Sequence, residues 1–185
     1  MKWLIPAFLA ALSWFVPAQS AAQGWEALEA PDAIVLMRHA LAPGGGDPAG
    51  FRLEDCNTQR NLSRAGRAQA ETIGAELRAR GVVFDKIWSS AWCRCQHTAT
   101  LLGLGAVQVE PSLNSFFGGQ GDRLGQTAAT LSRLSQSKGR RMLVTHQVNI
   151  TALTGIFPQS GEMIVVEMQK GQLAVTGRIL IAPPE

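Results

Sequence analysis

Two arginines and two histidines stand at or just beyond the ends of strongly apolar segments of the sequence. Arg38 and His39 follow the first of these segments, and His146 follows a later one. Arg94 lies in the opening turn of a predicted helix that begins after another such segment. Guanidinium groups match the oxygens of a phosphate group, and a neutral imidazole can attack phosphorus and carry the phosphoryl group. These residue types together predict an anion site that also contains a nucleophile.

The elements that must position these residues follow from the pattern of apolar residues. Continuous apolar runs are typical of strands buried on both faces, and an apolar stripe between Ser63 and Gly81 indicates a capped helix. The other predicted helices are 91–104, 125–135 and 148–153, and the predicted strands are 34–37, 82–87, 107–109, 141–145, 164–168 and 173–181. This alternation predicts an α/β sandwich with a mainly parallel sheet. The carboxyl ends of its parallel strands meet at one edge, where the two arginines and two histidines should converge.

The composition is that of one globular domain. The chain has 185 residues, of which 46% are hydrophobic, and its formal net charge is +3. The length fits a single domain, and the hydrophobic content is too high for a disordered regulator. Lysines and arginines do not cluster with aromatic residues, and tyrosine is absent. We therefore expect no nucleic acid partner.

The first 22 residues have the pattern of a secretory signal peptide. Lys2 precedes the apolar run 3–17, and small residues follow it. The run is short and contains two prolines, so we expect no stable membrane span, although an uncleaved anchor or a buried helix are alternative interpretations. We expect cleavage after Ala22 or after Ser20. This leaves residues 23–185 as a single secreted or periplasmic domain, in which 23–32 form a short exposed lead-in.

The three cysteines permit one disulfide in an oxidising compartment. Cys93 and Cys95 are separated by one residue and do not form the spacing of a metal site, so no metal is expected there. We expect Cys56 to pair with one of these two and the other to remain a thiol. Such a bridge would tie the loop around Cys56 to the helix that carries Arg94.

Four motifs in this sequence resemble those of the histidine phosphatase superfamily, the group that includes phosphoglycerate mutases. Residues 36–40, Leu-Met-Arg-His-Ala, resemble its Arg-His-Gly motif, and residues 61–70 are similar to its Pro-Leu-Thr-x-x-Gly-x-x-Gln-Ala segment. Residues 89–99 resemble its Ser-Ser-x-x-x-Arg-x-x-x-Thr-Ala segment, and residues 144–147 resemble its second-histidine motif. The resemblance runs from about residue 34 to about residue 155.

This resemblance implies a Rossmann-like three-layer sandwich and a reaction without a metal or other cofactor, on a small phosphorylated substrate. It implies that His39 is the nucleophile that accepts the phosphoryl group. The phosphate pocket would be formed by Arg38, Arg94 and His146. Arg60, placed as in some small phosphohistidine phosphatases of the family, would add an anion contact. Gln147 replaces the usual glycine and could add a side-chain contact to the substrate.

The proton donor of the family is missing from its usual place. Many members carry a glutamate shortly after the third strand in a Leu-x-Glu context, whereas Leu113 is here followed by Asn114. An amide cannot protonate a leaving alkoxide. Asp55 is the predicted substitute because it lies near the loop of the first motif; the other candidates are Glu110 and Asp122. Alternatively, the substrate has a good leaving group, such as a phosphoanhydride or phosphoramidate, or catalysis has been lost.

The expected function is that of an exported, metal-independent phosphatase. It would hydrolyse a phosphate monoester or phosphoanhydride through a phosphohistidine at His39. The alternative from a different class is a catalytically weak or inactive protein that binds a phosphorylated envelope ligand, and a structural protein with a relict site is a third. The loops 41–60 and 111–124 are expected to set specificity.

Overall fold

A computed structural model of the chain describes residues 21–183, in which a six-stranded sheet has helices on both faces. The strands are β1 (Ile34–Arg38), β2 (Lys86–Ser89), β3 (Val107–Val109), β4 (Arg141–Thr145), β5 (Met163–Gln169) and β6 (Gln172–Ile179). The helices are α1 (Ala21–Leu28), α2 (Arg64–Ala79), α3 (Cys93–Leu102), α4 (Arg123–Ser135) and α5 (Gln147–Thr154). The strand order is β3-β2-β4-β1-β5-β6, with the first four strands in this order parallel and the last two antiparallel to their neighbours.

Alternate side chains of β1 fill two separate cores. Val35 and Met37 pack with residues of α1, α2 and α3 on one face of the sheet, whereas Ile34 and Leu36 pack with residues of α4 and α5 on the other. All four side chains are fully buried. A strand covered on both faces must be apolar at every position, which explains the continuous apolar run in the sequence. The predicted three-layer α/β sandwich with a mainly parallel sheet is therefore confirmed.

The predicted strand 82–87 was wrong in its position, because β2 begins only at Lys86. The backbone N–H of Val82 donates to the carbonyl of Leu77 and so closes the end of α2. Further along, the N–H of Asp85 bonds to the carbonyl of Arg140 just before the parallel pairing of β2 with β4 begins. The apolar residues at 82–84 thus belong to the turn that leads into the strand.

The prediction of an exposed lead-in over residues 23–32 was also wrong. Most of this segment belongs to α1, in which Leu28 is buried and Trp25 packs against the core. The helix lies against β6 because two glycines meet at the contact. A Cβ atom added to Gly177 would fall 2.5 Å from the Cα of Gly24, so neither position leaves room for a side chain.

The predicted signal peptide lies almost wholly outside the described residues, since only Ala21 and Ala22 of it belong to α1. Its cleavage stays a prediction. Within residues 21–183, no helix combines the length and the apolar character needed to cross a bilayer.

A disulfide joins Cys56, in the loop before α2, to Cys93, the first residue of α3, with Cα atoms 5.7 Å apart. The side-chain oxygen of Gln59 accepts the N–H of Cys93 at 3.0 Å and adds a second link between the same two segments. Cys95 remains a free, buried thiol. These links hold the loop against the helical turn that carries Arg94.

We expect Cys56→Ser and Cys93→Ser each to lower the free energy of unfolding by roughly 2–4 kcal/mol, because the bridge restricts the unfolded chain over a separation of 37 residues. Urea denaturation followed by circular dichroism measures this loss. The double variant should lose no more than either single variant, since all three lack the same bond. Additive losses would show instead that each cysteine stabilises the fold on its own.

Candidate active site

The predicted residues converge at the edge of the sheet where the parallel strands β1, β2 and β4 end. A single pocket there is lined by every predicted catalytic and substrate-binding residue, namely Arg38, His39, Arg60, Arg94, His146 and Gln147. Its other lining residues are Gly44, Gly45, Gly46, Asp47, Ser115, Phe117, Gln120 and Val148. The parallel register explains the convergence, because Arg38 of β1 is paired with Thr145 of β4, and a histidine follows each of them.

His39 is arranged as a nucleophile. Its ring Nδ1 lies 2.8 Å from the carbonyl oxygen of Ala40, which can only accept, so Nδ1 carries the hydrogen and Nε2 has a free lone pair. The residue is 2% exposed. Burial, together with the smaller effect of the charges of Arg94 and the other pocket arginines, lowers the pKa of His39 to about 3, although the hydrogen bond to Ala40 acts in the opposite direction. The imidazole is therefore neutral and nucleophilic at physiological pH.

His146 stands beside His39, with ring centroids 5.7 Å apart, but its nitrogens are differently engaged. Its Nδ1 lies 3.4 Å from Arg94 Nη2, which can only donate, so the hydrogen of His146 sits on Nε2. That nitrogen donates to the hydroxyl of Ser90 at 2.8 Å. Burial, with a smaller contribution from His39, holds the pKa of His146 well below its ordinary value. Of these two pocket histidines, His39 alone thus presents a free ring nitrogen to a substrate.

Asn114 directly follows Leu113, so a Leu-x-Glu motif would place its glutamate at Ser115, which lines the pocket. Asn114 itself serves His146 indirectly. Its side-chain oxygen accepts the hydroxyl of Ser90 at 3.3 Å and the N–H of Ala91 at 2.8 Å. The hydroxyl of Ser90 therefore donates to Asn114 and accepts from His146. The amide holds the tautomer of the second histidine and supplies no proton.

Arg38 and Arg60 are held at the pocket by backbone carbonyls. Arg38 Nη1 donates to the carbonyl of Pro158 at 2.9 Å, and Arg60 donates to the carbonyls of Ala42 and Gly46. The Nε of Arg38 is buried and has no hydrogen-bond partner among residues 21–183. It is a donor available to an anion, which would also relieve the repulsion between the guanidinium groups.

Arg94 is already engaged by a carboxylate. Its Nη1 and Nη2 lie 2.7 and 3.2 Å from the two oxygens of Asp47, and the side chains of the pair are 3% and 4% exposed. Asp47 also accepts the indole N–H of Trp92 at 3.0 Å and the backbone N–H of Arg60 at 3.1 Å. Burial alone would raise the pKa of Asp47, but the hydrogen bonds and charge of Arg94 outweigh it and lower that pKa below its usual value.

The structure does not bring the predicted proton donors into the pocket. Asp55 caps a short 3₁₀ helix and pairs with Arg52 at 2.6 Å, and the hydrogen bond from Arg52 lowers the pKa of Asp55. Glu110 pairs with Arg133 at 3.3 Å, and Asp122 precedes α4. Of the described carboxylates, Asp47 alone lines the pocket. It is ionised, and an ionised carboxylate has no proton to donate.

Asp47 and Trp92 were missed by the sequence reasoning. Asp47 stands between three glycines and a proline, a context typical of an exposed turn. Nothing in the sequence shows that this turn folds over Arg94, which lies 47 positions further on. The available signal was that Asp47 is the one acidic residue of the run Pro-Gly-Gly-Gly-Asp-Pro at 43–48, which follows the first motif.

The outer wall of the pocket carries no formal charge. It is formed by the three glycines Gly44, Gly45 and Gly46 and by Ser115, Phe117 and Gln120, and Phe117 is 55% exposed. The predicted specificity loops 41–60 and 111–124 thus both contribute to the pocket. Among the side chains that the structure describes, no group of three or more His, Cys, Asp or Glu is placed to hold a metal ion.

The tautomer and protonation of His39 give a direct prediction. In spectra of protein with ¹⁵N-labelled histidine, its Nδ1 should remain protonated and its Nε2 bare between about pH 8 and pH 5, because its pKa lies far below the ordinary value. His97 lies outside the pocket, and its ring nitrogen signals serve as the internal reference. These signals are assigned from their loss in the spectrum of His97→Gln. Titration of His39 within this range would contradict the buried, neutral imidazole.

Comparison with known proteins supports the same fold. The model of the histidine phosphatase superfamily, branch 1, matches residues 34–128. The structure of the protein histidine phosphatase SixA with tungstate has a TM-score of 0.60 at 16% identity, covering 80% of this chain and 96% of that chain. Mycobacterial glucosyl-3-phosphoglycerate phosphatase has a TM-score of 0.55 at 18% identity, covering 79% and 99%.

A third solved structure has the same architecture. Phosphoserine phosphatase from Entamoeba histolytica, in complex with 3-phosphoglyceric acid, has a TM-score of 0.56 at 13% identity, covering 80% of this chain and 97% of that chain. No curated protein matches this sequence. The family match extends from β1 into α4 and contains His39 together with the three pocket arginines. The chain therefore belongs to branch 1 of the histidine phosphatase superfamily.

Proposed function

We propose that this protein is an exported, metal-independent phosphatase that hydrolyses a phosphate monoester or a phosphoanhydride through a phosphohistidine at His39. The observation that carries this proposal is the buried, neutral His39, whose Nδ1 is fixed by the carbonyl of Ala40 and whose Nε2 is free. It stands in a pocket lined by three guanidinium groups, which attract the phosphate and stabilise the charge that develops on its oxygens.

In the first step, Nε2 of His39 forms a bond to phosphorus, and the bond from phosphorus to the leaving oxygen breaks. The leaving group takes the electron pair of that bond. The Nδ1 hydrogen stays in place, so the phosphorylated ring becomes an imidazolium. Its hydrogen bond to the carbonyl of Ala40 strengthens when the ring becomes cationic. The backbone at Ala40 therefore stabilises the intermediate more than the free enzyme.

In the second step, water attacks phosphorus and the bond from phosphorus to Nε2 breaks. The departing group is the neutral imidazole of His39, because Nδ1 has kept its hydrogen throughout. A neutral leaving group needs no acid, so its departure is independent of the missing glutamate, and both protons of the attacking water stay on the product as dihydrogen phosphate. Inorganic phosphate and regenerated His39 are the products.

In the first step, a poor leaving group such as an alkoxide would need a proton donor. None of the described carboxylates is placed to supply that proton. The leaving oxygen must then depart as an anion, which favours phosphoanhydrides and esters of acidic hydroxyls over alkyl phosphates. Between these two classes, the uncharged outer wall around Phe117 favours esters of acidic hydroxyls, because their leaving group carries no further charge of its own.

Export is supported by the sequence pattern of residues 1–22 and by the bridge between Cys56 and Cys93, a bond that persists in oxidising compartments.

Binding without turnover is the second candidate. The same observation, a phosphate pocket without an available acid, favours a protein that retains a phosphorylated envelope ligand. The free Nε2 of His39 argues for catalysis, because anion binding alone does not require a bare nitrogen at this position.

Turnover of 4-nitrophenyl phosphate in the presence of a chelator tests the nucleophile. We expect His39→Ala to lower kcat by roughly a thousandfold or more, because the covalent path is lost. After quenching in base, wild-type protein should carry a phosphoryl group on the peptide that contains His39, and the His39→Ala protein should carry none.

His97→Gln is the matched control, since this third histidine lies outside the pocket, and its activity should stay within about twofold of wild type. Equal activity in His39→Ala and wild type would rule out the mechanism. Phosphate binding by wild-type protein without turnover of any aryl phosphate would favour the ligand-binding alternative.

The missing acid predicts a steep dependence on the leaving group. Phenyl phosphate should have a kcat/KM roughly a hundredfold below that of 4-nitrophenyl phosphate, because phenolate is the poorer leaving group and receives no proton. We choose kcat/KM because it reports the step that forms the phosphohistidine. Similar values for the two esters would reveal an effective proton donor in the pocket.

A further inference from the structure

Asp47 is built into the anion pocket as a fixed negative charge. Each of its carboxylate oxygens accepts two hydrogen bonds, one from Arg94 and one from a donor elsewhere in the chain. The second donors are the indole N–H of Trp92 and the backbone N–H of Arg60. These two donors hold the carboxylate in place independently of Arg94.

The pair leaves Arg94 with little capacity for a ligand. Besides Asp47, its Nη1 reaches the carbonyl of Arg60 at 3.4 Å, and its Nη2 reaches Nδ1 of His146 at 3.4 Å. Only its Nε has no partner among the described residues. A bound phosphate either uses this one donor or competes with the carboxylate for the others. The negative charge of Asp47 opposes the phosphate in both cases.

The carboxylate also sets the charge of the pocket. Arg38, Arg60 and Arg94 bring three positive charges, Asp47 brings one negative charge, and the two histidines are neutral. The described lining residues therefore carry a formal charge of +2, equal and opposite to that of a phosphate dianion. Three uncompensated guanidinium groups would hold the product more tightly and delay its release.

We propose that Asp47 is a positioning residue, a resident counter-ion that holds Arg94 and limits how tightly the pocket retains inorganic phosphate. The role rests on the anion site of the proposed function but not on turnover, because phosphate binding is measured directly. Because of Asp47, the affinity of the pocket for phosphate is lower than three arginines alone would give.

The test is calorimetric titration of inorganic phosphate into wild-type protein and into Asp47→Asn. Asparagine keeps the shape of the side chain and one carbonyl oxygen but removes the charge. We expect the Kd for phosphate to fall about tenfold or more in this variant. With 4-nitrophenyl phosphate, KM and kcat should both fall, because the phosphate group of the substrate is also held more tightly and the release of inorganic phosphate becomes slower.

Asp55→Asn is the matched control, since Asp55 also pairs with an arginine but lies outside the pocket, and its Kd should stay within about twofold of wild type. Unchanged or weaker phosphate binding by Asp47→Asn would overturn the role of Asp47, and a merely structural aspartate would give that result. Wild-type protein that binds no phosphate would instead contradict the proposed function.

Thermal unfolding keeps the test decisive if Asp47→Asn is unstable. Arg94 loses its buried counter-ion in this variant, so the Tm without phosphate should fall below that of wild type. Added phosphate should then raise the Tm of the variant more than that of wild type, because the ligand takes the place of the missing carboxylate. An equal or smaller rise would also overturn the role of Asp47.

Discussion

Three guanidinium groups share one pocket at the edge of a buried sheet, and the surrounding residues offset their mutual repulsion. Like charges repel, and their burial costs hydration. Backbone carbonyls compensate for this cost by accepting hydrogen bonds from the guanidinium groups. Arg38 donates to Pro158, and Arg60 donates to Ala42 and Gly46. These contacts fix the loops after β1 and α5, so the groups that bind the anion also order the walls of the pocket. The carboxylate of Asp47 completes the compensation at Arg94.

The same pocket gives its two histidines different chemistry. Both are buried and neutral, but the acceptor next to His39 is a carbonyl, whereas the neighbours of His146 are a guanidinium and a hydroxyl. The first environment leaves Nε2 bare, and the second engages both ring nitrogens. Nucleophile and partner are thus distinguished by their hydrogen bonds and not by their residue type. Cys95 adds a thiol 3.5 Å from Nε2 of His146, and burial raises the pKa of that thiol to about 12, so it stays uncharged beside the ring.

The sequence predicted the sandwich because strands such as β1 are apolar at every position, a pattern that only burial on both faces explains. It predicted the convergence of Arg38, His39, Arg94 and His146 because parallel strands bring their carboxyl ends to one edge. It did not predict the partner of Arg94, since Asp47 sits in a glycine loop whose path depends on tertiary contacts. The start of β2 was missed because residues of the preceding turn, such as Val82, are apolar too. The packing of α1 was missed because the contact between Gly24 and Gly177 involves no side chain and leaves no apolar pattern in the sequence.

The contact between Gly24 and Gly177 bears on when the predicted signal peptide could be cleaved relative to the packing of α1. The bond between Ala22 and Gln23, one of the two positions where cleavage is expected, lies in the first turn of α1, whose backbone packs on β6 only a residue further on. Proteases act on exposed, locally unfolded chain, and a helix seated on a sheet is a poor substrate for them. The predicted cleavage at this bond would therefore precede the packing of α1 on β6. The burial of Leu28, which belongs to the same helix, would then also follow that cleavage.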